Sequence, residues 1–443
     1  MGLAAAALAA NRFGLGARPG DLDRIAAAGA RTWLHGQLEP LPPSPFLDGL
    51  DGSDRHLATL VRRSDRARME AWQENMVSTF RTEAGLHLLD AVDSDRPFAC
   101  RLVRFWSNHF AITVRKDGRL RSLVGAYERE AIRPHVMGAF RALLGAVVRH
   151  PAMLLYLDQN TSLGGGSRAA ARRDAAAEGS GVNENLAREL MELHTLGVDG
   201  GYGQADVRAL ANILTGWTVG LKDEVGTRFR PGRHEPGDKR LLGVTIAEDG
   251  AGETEQALDL LARHPSTARF VATKLCRHFI ADEPDGVSVR AVAERFQETG
   301  GDLPAVYERM IEVGLAGPLP PKLKRPDDLV LSAARATGFH KGRPAPLLGA
   351  LRRLGQMPYQ AVSPKGYDDE ALAWAAPGAV LDRIAWSGEV ASRAPELGLS
   401  PQALGVAVLG PDLDEELRLL LERAPSRVEG LALLIASPAF QKR

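Results

Sequence analysis

The chain has 443 residues, is 44% hydrophobic and 25% charged, and balances 55 Lys and Arg against 55 Asp and Glu. These values are typical of a globular protein and exclude a disordered or fibrous chain. The zero net charge argues against a nucleic-acid binder, because such proteins carry an excess of basic residues. No apolar run approaches the roughly 18 residues that a membrane-spanning helix needs.

The amino-terminal segment MGLAAAALAANRFGLG is predicted to form the first helix, which ends at Gly14 or Gly16. Its alanine run is not preceded by the basic residues that open a secretory signal, so we expect a cytoplasmic protein. The two cysteines, Cys100 and Cys276, lie far apart in the chain. They fit neither a disulfide framework nor a cysteine zinc site.

The spacing of apolar residues predicts helices along most of the chain. The predicted helices lie at residues 21–38, 67–92, 97–113, 121–149, 183–197, 204–217, 254–263, 265–280, 287–298, 303–315, 327–338 and 345–355, and through 378–443. Residues 163–182 are rich in Gly, Ala and Ser, which predicts a mobile loop. Short alternating runs between Pro- and Gly-rich turns predict a small β-hairpin at 225–247.

These elements predict a mainly α protein with a large, irregular multi-helical domain and a small β-hairpin excursion. We assign residues 1–340 to the main helical domain. Residues 341–443 are predicted to form a carboxy-terminal helical appendage that packs on it.

The segment Asn183–Gly197 has the most informative pattern of polar residues. At about 100° per residue, Asn185, Arg188 and Glu189 share one polar stripe beside an apolar face. His194 falls on the apolar side and cannot easily share a metal ion with Glu189. A plain structural interpretation is a solvated face with an ion pair between Glu184 and Arg188.

Two further segments carry histidines. His109 lies among aromatic residues in FWSNHF, where a lone histidine is more often a core residue than a ligand. His234 and Lys239 lie in RFRPGRHEPGDKRLLG, a charged turn of the kind that is usually just solvated. Loops are nevertheless where functional residues concentrate.

Several blocks of the sequence resemble the bacterial "domain of unknown function 1800" family, in order and over nearly the whole chain. The blocks are NRFGLGARPGDL (11–22), FWSNHF (105–110), HPAMLLYLD (150–158), NENLARELMELHTLGVDGGYGQADVRALANILTGWT (183–218), HEPGDKRLLG (234–243), HPSTARFVATKLCRHF (264–279) and PKLKRPDDLVLSAARATG (320–338). The family name records that its activity is unassigned.

The resemblance implies which positions are typical of the family. Those positions are His109, residues 183–189, Trp217, His234 and Lys239. The resemblance implies that many relatives carry Phe at the position of His194 and that relatives often carry His at that of Ser107. Relatives are often exported and encoded beside a second uncharacterised protein, which implies a partner from a neighbouring gene.

The first functional hypothesis is an enzyme of unknown substrate with a site at His109, Glu189 and His234. Two imidazoles and one carboxylate suit Fe(II), Zn(II) or Mn(II) with open positions for hydrolytic or oxidative chemistry. Asn185, Arg188 and Lys239 would complete the site. In a metal-free form, His109 or His234 would act as a general base beside Glu189.

Two other classes of function stay open. In a non-catalytic scaffold or partner-binding protein, Asn185, Arg188, Glu189 and His109 would form a buried network that holds helices together. In a carbohydrate- or peptide-binding module, an open groove would expose Trp106, Trp217 or Tyr202.

Overall fold

The structure is a computed structural model that describes residues 2–59, 66–172, 181–221 and 224–443. The predicted fold class is confirmed, because the described residues are mainly helical and contain two small antiparallel strand pairs. Residues 173–180 of the predicted loop lie outside the described residues. The predicted domain boundary at residue 340 stays a prediction.

The first half of the chain carries eleven of the described α-helices. They are α1 (Gly2–Leu8), α2 (Asp21–Ala28), α3 (Ala30–His35), α4 (Ser53–Thr59), α5 (Arg66–Asp93), α6 (Pro97–His109), α7 (Val124–Tyr127), α8 (Phe140–Arg149), α9 (Pro151–Tyr156), α10 (Asn185–Glu189) and α11 (Gln204–Leu214). Three π-helical segments extend helices: Ala9–Phe13 follows α1, Glu128–Ile132 follows α7 and Leu190–His194 follows α10.

The second half carries eleven more described α-helices. They are α12 (Ala251–Arg263), α13 (Pro265–Phe279), α14 (Gly286–Glu298), α15 (Leu303–Leu315), α16 (Pro326–Thr337), α17 (Pro344–Arg353), α18 (Pro377–Arg393), α19 (Pro401–Leu409), α20 (Glu415–Glu422), α21 (Arg427–Ala436) and α22 (Pro438–Gln441). Short 3-10 helices lie at Gly118–Ser122, Gln159–Thr161, Pro231–Arg233, Ala371–Ala373 and Gly410–Asp412.

Proline sets the start of many helices, since its fixed φ suits the first turn and its missing N–H is not needed there. Helix α8 ends at Arg149, and α9 begins at Pro151. The Nδ1 atom of His150 accepts a hydrogen bond from the Ala152 amide and caps α9.

Two predicted helices are interrupted. The segment 21–38 divides at Gly29, whose φ of 83° belongs to the left-handed region and ends α2. The segment 121–149 divides into α7, a π-helical stretch and α8. In both segments the apolar residues have helical spacing, but the backbone conformation interrupts the helix.

The predicted hairpin region contains two antiparallel pairs. Strands β1 (Trp217–Gly220) and β2 (Gly226–Phe229) pair with Trp217 opposite Phe229. Strands β3 (Lys239–Leu241) and β4 (Val244–Ile246) pair with Lys239 opposite Ile246. Trp217, predicted to end a helix, begins β1 instead, because α11 stops at Leu214 before Gly216 with its positive φ of 93°.

Helix α6 lies at the centre of the core, where ten of its thirteen residues are buried. Phe98 packs against Phe13 and Phe279, with ring centroids 6.0 and 5.8 Å apart. The Trp106 indole donates a hydrogen bond to the Tyr307 hydroxyl at 2.6 Å. This burial leaves one polar edge of α6 outside the aromatic core.

The segment after α1 is held by arginines from two later helices. Arg101 of α6 donates to the Gly14 carbonyl at 2.7 Å, and Arg335 of α16 donates to the Gly16 carbonyl at 2.8 Å. Gly16 has a φ of 94°, and a Cβ there would lie 2.5 Å from the Cβ of Ser332. Only glycine fits this close approach without movement of α16.

Candidate active site

A small cavity of about 70 Å³ lies between α5, α6 and the loop that follows α17. Its lining is rich in groups that can transfer protons or bind anions. These are His87, Arg104, Ser107, Glu128, Asp327, Tyr359 and Tyr367. We consider this cavity the candidate active site.

Glu128 is the hydrogen-bonding centre of the cavity. Its Oε1 lies 2.6 Å from Nδ1 of His87. Its Oε2 accepts hydrogen bonds from the Tyr359 hydroxyl at 2.7 Å and the Ser107 hydroxyl at 3.1 Å. Burial alone would raise the pKa of Glu128, but the charge and hydrogen bond of His87, with Tyr359 and Arg104, lower it to about 2. The carboxylate is therefore ionised at neutral pH.

His87 is oriented by this carboxylate. Its side chain is 5% exposed, and Nε2 has no hydrogen-bond partner among the described residues. Because Nδ1 lies against the Glu128 carboxylate, Nε2 is the ring nitrogen left for other contacts. A carboxylate beside one ring nitrogen of a histidine in a cavity wall orients the imidazole in the way that a general base requires.

The local backbone explains how these side chains converge. Glu128 begins the π-helical segment Glu128–Ile132, and such bulges are frequent at functional sites. Tyr359 has a φ of 56°, a conformation that a bulky residue adopts only when its surroundings enforce it. Its carbonyl accepts a hydrogen bond from the Val114 amide at 3.0 Å, which helps to hold the strained residue in place.

Asn108 fastens the loop that carries Tyr359 to α6. Its side-chain amide donates to the Tyr367 carbonyl at 2.8 Å, and its carbonyl oxygen accepts from the Tyr367 amide at 2.7 Å. Gly366 packs so closely on Asn108 that a Cβ there would overlap the Asn108 backbone oxygen. These two hydrogen bonds fix the loop that closes one side of the cavity.

A buried ion network borders the cavity. Arg104 donates to Asp327 at 2.9 Å, while its Nε has no partner among the described residues. Arg325 joins Asp327 to Asp369 with contacts of 3.1 and 2.8 Å. Burial would raise the pKa of Asp369, but His278 and Arg325 hold it well below its usual range. The network fixes the position of Arg104 in the wall of the cavity.

The structure places His109 elsewhere, inside the aromatic core. Its Nε2 donates to the His194 carbonyl at 3.1 Å, and it packs against Trp106 and Phe110. Burial first, then Lys274 and His194, lower its pKa well below the usual range. His109 is therefore a neutral core residue, the more frequent outcome for a lone histidine of this kind.

The predicted polar stripe of α10 lies at the surface. Asn185 is exposed, and Arg188 donates to Glu184 at 3.0 Å and to Gln204 at 2.9 Å. Glu189 is half-buried, and its pKa is raised by burial and by the nearby Glu192. The ion pair between Glu184 and Arg188 agrees with the solvated-face interpretation, and the buried network imagined for the scaffold hypothesis does not form here.

His234 and Lys239 meet around a third residue that the sequence did not single out. The His234 Nε2 lies 2.9 Å from Oε1 of Glu253, and Lys239 lies 2.8 Å from its Oε2. The His234 Nδ1 donates to the Thr215 carbonyl at 2.8 Å. Because both ring nitrogens are engaged, His234 serves to fasten the strands to α12 and is not free as a base.

The predicted metal ligands are not brought together. The contacts of His109, Glu189 and His234 described above do not overlap. Among the described residues, which include all three, no group of three or more His, Cys, Asp and Glu side chains is arranged to hold a metal ion. The predicted Fe, Zn or Mn site thus receives no geometric support.

Sequence reasoning missed His87, Glu128 and Tyr359. One signal was available: Ser107 and Asn108 lie inside the FWSNHF block, next to the residue that was selected. On α6 the apolar side of that block enters the core, whereas Ser107 faces Glu128 and Asn108 faces the loop. The useful residues were thus the polar neighbours of His109.

A family model described as "Protein of unknown function (DUF1800)" matches residues 8–442, nearly the whole chain. The chain belongs to this family. No curated protein and no solved structure matches it. In this DUF1800 protein, none of the described helices is both long and apolar enough to cross a membrane.

Proposed function

We propose that this protein is an enzyme that uses general-base chemistry on a small polar substrate at the cavity of His87 and Glu128. The observation that carries the proposal is the buried pair itself: a carboxylate 2.6 Å from one ring nitrogen, and a second ring nitrogen without a partner among the described residues. The pair also lines a cavity, whereas the neutral core histidines His109 and His194 pack among aromatic rings.

The proposed reaction is hydrolysis. His87 Nε2 takes a proton from a water molecule, and the oxygen attacks the carbonyl or phosphoryl centre of the substrate. Glu128 stabilises the imidazolium that forms, and His87 then returns the proton to the leaving group. Ser107 donates its proton to Glu128, so water is the better candidate for the nucleophile.

Arg104 would bind the oxygen on which negative charge develops. Its guanidinium is anchored by Asp327 while its Nε is unpartnered among the described residues. Such a donor, fixed in advance in a site of low dielectric, stabilises an oxyanion more than solvent does. Tyr359 would hold Glu128 in place as a positioning residue.

The test is a panel of chromogenic substrates, namely p-nitrophenyl acetate, p-nitrophenyl phosphate and an alanine p-nitroanilide. We expect turnover of at least one, and a decrease in kcat of about 100-fold or more in His87→Gln, because general-base catalysis contributes about that much. His135→Gln is the matched control, since His135 lies away from the cavity lining. Equal activity of His87→Gln and the wild type, with both folded by circular dichroism, would contradict the proposal.

A partner-binding role is the second candidate, and one surface favours it. Helix α18 exposes Val380, Leu381 and Ile384, with exposed fractions of 41, 67 and 52%. Apolar residues with helical spacing on one face are typical of a contact surface. The groove expected for a carbohydrate- or peptide-binding module has less support, because Trp106 is fully buried and Trp217 and Tyr202 are partly buried.

The finer sequence predictions are kept as proposals with their own measurements. The natural host is proposed to be a bacterium. Fractionation of its cells tests whether the protein is cytoplasmic or exported. A partner from a neighbouring gene is tested by co-purification of the two products. Elemental analysis of the purified protein tests the divalent metal, and retention of stoichiometric metal in a folded His109→Ala variant would exclude the predicted ligand set.

A further inference from the structure

Three arginines from distant parts of the chain come together in the core. Arg12 lies in the π-helical segment after α1, Arg101 in α6 and Arg443 beyond α22. Arg12 and Arg101 are each 2% exposed, and the Arg443 side chain is fully buried. Buried arginines of this kind must have partners, because an unpaired charge in the interior is costly.

One carboxylate is in direct contact with these arginines. Arg101 and Arg443 share the carboxylate of Asp328, at 2.5 and 3.4 Å. No carboxylate forms an ion pair with Arg12 among the described residues; one terminal nitrogen of Arg12 donates to the Pro320 carbonyl. Asp282 and Asp412 act on Arg12 only from a greater distance.

Lys324 is buried in the same part of the core. It is 2% exposed, and its ammonium group lies 4.3 Å from the centroid of the Phe440 ring. Burial lowers the pKa of Lys324 to about 7, while nearby Asp328 raises it and Arg101 and Arg443 lower it. Asp412 acts on both Lys324 and Arg12, and Asp282 acts on Arg12.

The guanidinium groups also have unused donors. Nε and Nη1 of Arg12, Nε of Arg101, and Nε and Nη1 of Arg443 are buried without a hydrogen-bond partner among the described residues. Burial and the charge of Arg101 lower the pKa of Arg12 to about 10. Burial and the same neighbour lower the pKa of Arg443 to about 9. Both arginines therefore lie within the field of Arg101.

We propose that Arg12, Arg101 and Arg443 bind a compact inorganic anion, of which chloride is the representative, as a resident ion of the core. A halide accepts hydrogen bonds from several N–H groups in a small volume and adds a negative charge beside arginines that have one carboxylate in direct contact. Two features of its position support a structural role for the ion. The three arginines come from the beginning, the middle and the end of the chain. Asp328, which contacts two of them, is next in sequence to Asp327 of the candidate active site. The site is independent of the proposed function.

The test is the melting temperature of the full chain in sodium gluconate and in sodium chloride or bromide at equal ionic strength. Binding to the folded state alone predicts a saturable rise of about 2 °C for a tenfold excess of ion over its Kd. Equal melting temperatures in gluconate and chloride would overturn the proposal. A response to sulfate or phosphate without one to halides would overturn the assignment to a halide.

Variants assign the site. Arg12→Met should abolish the difference between chloride and gluconate. The matched control is Arg335→Met. Arg335 is also buried, but it donates to the carbonyls of Gly16, Val92 and Ser94. The Arg335→Met protein should therefore keep the difference between chloride and gluconate. An unchanged response in Arg12→Met would contradict the assignment.

A direct measurement on the wild-type protein tests the proposal even where a variant does not fold. Crystals grown in sodium bromide should show an anomalous peak within hydrogen-bond distance of Arg12 and Arg443. Well-defined water in that position, without an anomalous signal, would overturn the proposal.

Discussion

At the scale of single residues, the partner of a buried histidine distinguishes what it can do. His87 pairs with a carboxylate at one nitrogen, whereas His194 is 1% exposed and neither of its nitrogens has a partner among the described residues. Burial lowers the pKa of His194 to about 3. The same residue type thus supplies a candidate base in one place and a neutral core residue in another.

His194→Phe should make the protein less sensitive to acid. Because the folded pKa of about 3 lies below the unfolded value near 6.5, the unfolded state binds a proton first, and the wild type loses stability as the pH falls from 6.5 toward 3. At pH 5 this loss is about 2 kcal/mol. Phenylalanine carries no such proton, so the variant should gain about that much relative to the wild type between pH 8 and pH 5.

Urea unfolding at pH 8 and pH 5 measures both proteins. A stability difference between variant and wild type that is the same at the two pH values would contradict the assignment of His194 as a neutral buried group.

At the scale of elements, ion pairs in the interior attach the strands to the helices. Glu253 of α12 is fully buried and contacts both His234 and Lys239 of the strand region. Two residues later on the same helix, Glu255 also contacts two basic residues, Arg141 and Arg149, but its side chain is 47% exposed. Solvent screens the second carboxylate and not the first.

Glu253→Gln should therefore destabilise the protein by about 3–5 kcal/mol, because it leaves Lys239 as a buried charge without its partner. Glu255→Gln is the matched control and should cost less than about 1 kcal/mol. Urea denaturation of the two variants makes the comparison. Equal losses would show that the buried cluster is not an anchor.

At the scale of the whole molecule, the fold depends on contacts between segments that lie far apart in sequence. Gly16, near the start of the chain, packs against Ser332 of α16, and the arginines of α6 and α16 bind the carbonyls on either side of this contact. The blocks that resemble the family at 11–22 and 320–338 therefore meet in space. Together they support α6 and the wall of the candidate active site.

Gly16→Ala should cost about 3 kcal/mol or more, because a φ of 94° is combined with a Cβ contact of 2.5 Å to Ser332. Gly20→Ala isolates the backbone effect, since Gly20 has a φ of 85° and no atom within 4 Å of its added Cβ. It should cost about 1 kcal/mol. Thermal or urea unfolding measures both, and an equal cost would refute the importance of the long-range contact.

The sequence by itself determined the helical class, the approximate bounds of most helices, the strand region and the family. These properties depend on local spacing: apolar periodicity, prolines at helix starts and the ion pair between Glu184 and Arg188 all act within a few residues. His194 was likewise placed correctly on the apolar side of its helix, where the structure buries it.

Only the tertiary structure decided which polar residues share a site. His87, Glu128 and Tyr359 come from three segments, and no spacing in the chain records that they meet at one carboxylate. Glu253 and Arg12 were overlooked for the same reason, since a buried charge is recognised by its surroundings and not by its neighbours in sequence. Proximity across hundreds of residues is a property of packing, and packing brought the residues of the candidate active site together.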